Sequence, residues 1–506
     1  MRTVSPDIKA CSSVRKEESP PRIMTRKHDP SQNAVGLAAT LIVLGLLGGT
    51  YIVTGAVPGS AILILAGLVG FVLILVNRFV GLAILLGSYT YCLPVVHYGF
   101  QGEHDLRVYD FVIVALMLAY LSDTLMGKSF IIAKTSINKP LLYFVVFCLF
   151  SLIVVALSVG YLEIPRAGLR WFRLAGYALA FILVTSLPMT KKQINILLNV
   201  FLIGAAVQGL LSTLQSLGFL GPLWDYHVLD YSPFSYVGTM APHHVHLRLY
   251  LVSALAVLVA KAKTPHGAWG KVGLAACSGL LIYPLFNTHC RTGILAFGVY
   301  GAMTLILSKK RAYTLVGASI GLLVLFLSFG KAPFEIGQEE VQKQIDTMQT
   351  PTGYDLTRLD TRRMHIYSLY GERLAGNPAI LLWGSGYEFG WGGAHNCYAN
   401  VFFELGPFGL LIWLWLLLRI WKRTTWLAKR SEWPEARVLA REFLCLFIAL
   451  LVANLTTEVL YPRRALYSFF AQFLFLAALV LHPVWGKPEQ VNTNRAQHNP
   501  VAKERQ

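Results

Sequence analysis

The chain has 506 residues, of which 55% are hydrophobic and only 14% charged, with a formal net charge of +18. Soluble domains carry roughly a quarter of their residues as Asp, Glu, Lys and Arg, so a water-soluble fold could not clothe a chain this apolar; a lipid bilayer acting as solvent can. The basic excess does not mark a nucleic-acid binder, because it gathers in alternate connections between apolar runs, the distribution of cytoplasmic loops in a membrane protein.

Residues 1–33 are polar and basic, with Pro20, Pro21 and Pro30, and read as a disordered cytoplasmic tail rather than a cleaved signal. Runs of the length that crosses hydrocarbon as a helix follow at 34–54, 59–76, 79–97, 108–126, 140–160, 168–187, 193–217, 244–260, 272–288, 291–307, 312–330, 395–418, 438–459 and 463–482. Two are short and neighbours can merge, so the expectation is an all-α polytopic transmembrane helical bundle of 12–14 spans. Residues 34–330 hold about 11 of them, 395–485 hold the C-terminal spans, and 486–506 form a second disordered cytoplasmic tail. Runs 272–288 and 291–307 abut and predict a tight helical hairpin. Between the two sets of spans, 331–394 is a large extracytoplasmic loop with amphipathic helices at Glu339–Met348 and Asp360–Ala375. Pro378 stops the second helix, and Trp383-Gly384-Ser385-Gly386 reads as a flexible turn leading back to the membrane. No internal repeat is visible. The seven cysteines show no metal-binding spacing, and most lie in apolar runs, where a thiol behaves as a small hydrophobe.

Basic connections at Arg78, Lys128–Lys139, Lys191–Lys192, Lys261–Lys271, Lys309–Arg311 and Arg419–Arg441 put both termini in the cytoplasm and the loops 218–243 and 331–394 outside. On that outer side the lysines are Lys331 and Lys343 alone; the other basic residues are Arg107, Arg166, Arg170, Arg173, Arg248, Arg291, Arg358, Arg362, Arg363, Arg373, Arg463 and Arg464. Arginine's planar fork binds phosphate or carboxylate bidentately, and it also tolerates interfaces and salt bridges well; both readings stand for the set. At membrane depth the functional reading is favoured, since such charges are costly and usually face a cavity.

Four motifs follow. Asn287-Thr288-His289-Cys290-Arg291-Thr292-Gly293 sits at the tip of the hairpin, with Arg291 opening the returning helix. A helix amino terminus favours anions, so Arg291 suits a diphosphate clamp; the competing reading is a snorkelling interfacial arginine. Next, His395, Asn396, Asn400 and Glu404 head a helix, the last three spaced by four and so near one face. They are either a functional polar stripe or a helix–helix hydrogen-bonded contact. His395 stands where a proton acceptor would meet a hydroxyl. Arg358, Arg362 and Arg363 are a phosphate-binding set or a solvated charged face. His243-His244-Val245-His246 has no thiolate pair nearby and is weak as a zinc site; it can instead line the outer cavity near Arg248. Glu458 with Arg463 and Arg464 reads as a local structural ion pair. Cys290 and Cys397 flank Arg291 and His395 and would pair if the two helix ends meet.

Together these residues resemble the O-antigen ligase and polymerase family of bacterial membrane glycosyltransferases. The resemblance covers about 275–420 and rests on three stretches: Cys290 to Ala296; Arg363, Tyr367, Pro378, Gly384 and Gly386; and His395, Asn396, Glu404, Gly406 and Gly409. Cys290 stands where the family has serine, Thr292 where it has glycine, and Arg362 and Arg363 compete for one family position. The resemblance implies transfer of a glycan from undecaprenyl diphosphate to a hydroxyl at the outer face of the inner membrane. The acceptor would be the lipid A core (ligase) or a growing polysaccharide (polymerase), and neither a metal, a cofactor nor a nucleotide sugar is needed. His395, Arg291 and Arg363 would be catalytic; Arg170, Arg248, Arg358, Arg362, Asn396, Asn400 and Glu404 would bind substrate. The donor, the acceptor and membrane lipid are the expected partners. A lipid-linked oligosaccharide flippase or a proton-coupled transporter using Glu404 are the rival classes.

Overall fold

Twelve of the fourteen apolar runs lie on helices of the computed structural model. The structure describes residues 60–91, 94–96, 106–125, 132–158, 164–221, 244–264, 268–287, 291–307, 349–350, 353–354, 368, 371–372, 375, 379–387, 396–457, 460–461 and 469–486. Runs 34–54 and 312–330, both tails and the Glu339–Met348 helix lie outside these residues. Of Asp360–Ala375, only Ser368, Gly371, Glu372 and Ala375 are described, all helical.

In chain order the helices are α1 (Ser60–Val76), α2 (Arg78–Tyr91), α3 (Val108–Leu125), α4 (Asn138–Ser158), α5 (Ile164–Ser186), α6 (Lys191–Ser216), α7 (His244–Ala262), α8 (Ala268–Asn287), α9 (Arg291–Leu307), α10 (Ala379–Trp383), α11 (Cys397–Arg430), α12 (Pro434–Ala453) and α13 (Phe469–Val480). Two short antiparallel pairings interrupt them: β1 (Pro94–Val96) with β2 (Leu106–Arg107), and β3 (Gln349–Thr350) with β4 (Gly353–Tyr354). The protein is all-α in class. Among the described residues six helices are long and apolar enough to cross a membrane, namely those at Val108–Leu125, Asn138–Leu157, Ala167–Ser186, Lys191–Ser216, Val245–Ala262 and Cys397–Arg430. Large apolar side chains such as Phe150, Leu157, Val272 and Leu411 lie exposed on these and neighbouring helices, a surface only hydrocarbon would cover.

Local chemistry explains several boundaries. Thr190 caps α6 in a full capping box with Gln193. The run 79–97 overshoots α2, because Pro94 starts a strand rather than a helical turn. The run 395–418 undershoots α11, which continues as a basic stem to Arg430. The hairpin expected at 272–307 is present as α8 and α9.

The bundle has two chemically distinct ends. At one, Ala133 N–H donates to Ser186, His482 meets the Leu187 carbonyl, Ser431 donates to Trp485, Lys263 pairs with Glu442, and Arg441 reaches the Leu307 carbonyl. Every lysine among the described residues lies near this end. At the other end sit the buried arginines Arg107, Arg170, Arg173 and Arg248.

Candidate functional site

The arginine end is where helix termini converge. Thr292, the residue after Arg291, shares a hydrogen bond with Thr456, Oγ1 to Oγ1 at 3.1 Å. The Cys397 N–H donates to the Asn454 carbonyl at 2.8 Å. Both anchors belong to one turn, 454–457, which closes α12. The starts of α9 and α11 therefore adjoin, joined through that turn. The turn is itself fixed, since Asn454 Oδ1 accepts from the Leu460 N–H at 3.0 Å. Arg248 of α7 completes the cluster. A Cβ at Gly293 would fall 2.5 Å from Arg248 Cδ and 2.7 Å from its Cβ. Glycine is needed there for the buried arginine stem to lie across the first turn of α9.

Asn396 has a local duty. Its side-chain oxygen accepts from the Tyr398 and Ala399 N–H groups, as a helix N-cap does. With Cys397 N–H on Asn454, the first donors of α11 are occupied, so this terminus offers charge from its dipole rather than unused N–H groups. Asn400 and Glu404 follow at helical spacing, and both are fully buried.

Two turns in, α11 breaks. Gly406 takes φ 66° and ψ −175°, and Pro407 follows. Proline has no N–H, so the Phe403 carbonyl loses its helical donor. Ser385 replaces it, with its N–H at 2.8 Å and its hydroxyl at 3.2 Å. The Gly386 N–H donates to the Glu404 carbonyl at 2.9 Å, and the Tyr387 N–H to Ser151 Oγ at 3.0 Å. The segment expected to be a flexible turn is thus a strap bonded across the break. Its close approach explains its composition: Gly384 has φ +75°, and a Cβ there would meet the Glu404 carbonyl oxygen at 2.3 Å. Tyr461 then donates to Glu404 Oε2 at 2.7 Å, and its ring meets those of Tyr387 and Phe144 edge-on. Glu404 is therefore held by a side chain from the bend at 460–461, which follows α12.

A further buried network was invisible in the sequence. Arg173 of α5 pairs with Asp110 of α3 at 2.9 Å, and the Arg107 N–H donates to the same carboxylate at 2.9 Å. Tyr89, Tyr109 and Tyr177 pack around the pair with ring centroids 5.4–6.2 Å apart, and Arg173 lies over the Tyr109 ring. Asp110 and Arg173 are 63 residues apart, so only the packing of α3 on α5 unites them.

Of the residues singled out by sequence, Arg170, Arg248, Asn396, Asn400 and Glu404 are placed with their side chains, and all but Asn396 are buried. Arg291 is placed as the first residue of α9, its side chain outside the description. His395, Arg358, Arg362 and Arg363 lie outside the described residues, as do His243, Cys290 and with it the Cys290–Cys397 pairing, and the Glu458–Arg463–Arg464 group. His246 is buried on α7. No protein-family model matches the chain, and no curated protein matches it.

Proposed function

We propose that the protein is a membrane glycosyltransferase that moves a glycan from undecaprenyl diphosphate to a hydroxyl acceptor at the outer face of a bacterial inner membrane, as an O-antigen ligase or polysaccharide polymerase. One observation carries most of the weight: the residues that follow Arg291 and His395-Asn396 are tied to the same turn, 454–457, with Arg248 against Gly293 alongside. The chemistry requires that proximity. The acceptor oxygen forms a bond to the anomeric carbon while the bond from that carbon to the phosphate oxygen breaks, leaving charge on the lipid diphosphate. Fixed guanidinium groups at Arg291, Arg248 and, from the loop, Arg363 stabilise that charge. His395 accepts the hydroxyl proton. Arg170, Arg358 and Arg362 extend the binding surface, and Asn396, Asn400 and Glu404 hold the helix that presents His395. Lysines gathered at the opposite end of the bundle support a cytoplasmic placement for that end.

The test is transfer in detergent, where a membrane has no sides. Purified protein given lipid-linked glycan and acceptor releases polyprenyl diphosphate and yields glycosylated acceptor; a flippase or a transporter does neither. Deletion in the source cell separates the subclasses. Loss of all long chains from lipid A indicates a ligase, and a single repeat left on the core indicates a polymerase. Normal surface polysaccharide together with no transfer in detergent would overturn the proposal.

A further inference from the structure

The strap across the broken helix bears on where the chain enters the bilayer. From Cys397 to Leu418 the helix α11 carries one charged residue, Glu404. That stretch is about 33 Å long at 1.5 Å per residue, close to the ~30 Å of bilayer hydrocarbon. The basic stem from Arg419 to Arg430 lies beyond it at the lysine-rich end. The Asn396 end therefore marks one hydrocarbon boundary, and Phe403 and Glu404 lie roughly 10–12 Å below it by the same rise.

Ser385 and Gly386 are hydrogen-bonded to the carbonyls of those two residues, so the strap lies at that depth too. No water is available there to replace a missing donor, and irregular backbone survives at that level only when protein satisfies it. The donors come from Ser385 and Gly386, which makes the strap part of the membrane body. The residues just before it fit the same environment. Leu381, Leu382 and Trp383 are 42%, 54% and 55% exposed. They continue the lipid-exposed surface of α11, where Phe408 and Leu411 are 50% and 62% exposed, and the Trp383 and Phe408 rings lie 6.2 Å apart. The eight residues between Tyr387 and Asn396 can climb 12 Å with length to spare, at up to about 3.3 Å each.

We propose that residues 379–387 form a re-entrant segment that dips into the bilayer from the Asn396 end, with Leu381, Leu382 and Trp383 in contact with lipid hydrocarbon. The segment belongs to the membrane body rather than to the aqueous loop that precedes it. The inference depends on the membrane character of the bundle and is independent of the chemistry proposed above.

Spin labels test it. Leu382→Cys, Leu411→Cys and Ser368→Cys proteins are labelled in detergent, reconstituted, and measured by power saturation against oxygen and a water-soluble nickel chelate, with labelled wild type subtracted. The label at 382 is expected to match the one at 411, accessible to oxygen and shielded from nickel, while the one at 368 is open to nickel. A label at 382 as nickel-accessible as that at 368, or shielded from both reagents, overturns the proposal. A second measurement needs no cysteine. Brominated acyl chains quench tryptophan only on contact, so Trp383→Phe is expected to reduce the quenchable fraction of the fluorescence. An unchanged fraction would count against the segment's lipid contact.

Discussion

Tyr461 donates its phenolic O–H to Oε2 of Glu404 at 2.7 Å, across two chain segments 57 residues apart, with both side chains fully buried. The bond lies beside the break in α11, so it fixes the half-helix that carries Asn396. Tyr461→Phe keeps the ring packing on Phe144 and Tyr387 and removes only the hydroxyl. Stranding one acceptor costs about 1–3 kcal/mol, so thermal unfolding in detergent is expected several degrees below wild type. Glu404→Gln retains an oxygen that can accept from Tyr461 and is expected to lose less. An unshifted melt for Tyr461→Phe would mean that this bond does not hold the half-helix.

The break itself yields a second prediction. Gly384→Ala places a methyl against the Glu404 carbonyl and must hold φ +75°, a combination of clash and left-handed strain worth roughly 1–3 kcal/mol or more. Gly406→Ala meets the Leu382 carbonyl oxygen at 2.4 Å with φ +66° and is expected to behave alike. Gly273→Ala on α8 meets nothing within 4 Å and serves as the neutral comparison. Yield of monodisperse protein and melting temperature together check the contrast.

These glycines show where sequence patterns stop. The run of Trp383-Gly384-Ser385-Gly386 has turn composition, and composition carries no information about the carbonyls waiting at Phe403 and Glu404. Apolar runs report helices well because a bilayer enforces length, which is why α3 to α9 agree with expectation to within a few residues. They report ends poorly where the neighbouring residues share the hydropathy but not the conformation, as at Pro94-Val95-Val96 after α2. Within the site, the spacing of Asn400 and Glu404 was legible because helical periodicity is local. Asn396 carries a cap signal that its place in the stripe obscured, since Asn before an apolar run is a standard helix start. Tyr461 and the Asp110–Arg173 pair were not legible, because each depends on which distant helices meet.

That ion pair is expected to respond cooperatively. With both side chains buried, removing one partner strands a charge, at a cost of about 3–5 kcal/mol, while removing both is often far milder. Asp110→Asn and Arg173→Met are each expected to lower the melting temperature strongly. The double variant is expected to melt higher than the sum of the two losses allows. A double-mutant cycle on unfolding temperature measures the coupling, and strict additivity would show that other neighbours hold the two groups.

The functional proposal is sharpest at Gly293, because that residue touches no substrate in it yet controls one that does. A methyl there collides with Arg248 at Cβ and Cδ, so Gly293→Ala pushes the guanidinium away from the start of α9 while leaving every charge in place. If Arg248 helps to hold the departing diphosphate, turnover at saturating donor in detergent is expected to fall about tenfold or more. Arg291→Ala is expected to fall further, by roughly 10²–10³, the loss typical when a preorganised donor to developing charge is removed. Arg248→Ala and Gly293→Ala act through one side chain, so the combined variant is expected to be little worse than Arg248→Ala alone. Melting temperatures separate the outcomes: a Gly293→Ala protein with wild-type turnover removes Arg248 from the mechanism, whereas slow turnover in a protein that melts normally assigns the loss to the arginine's position and not to the fold.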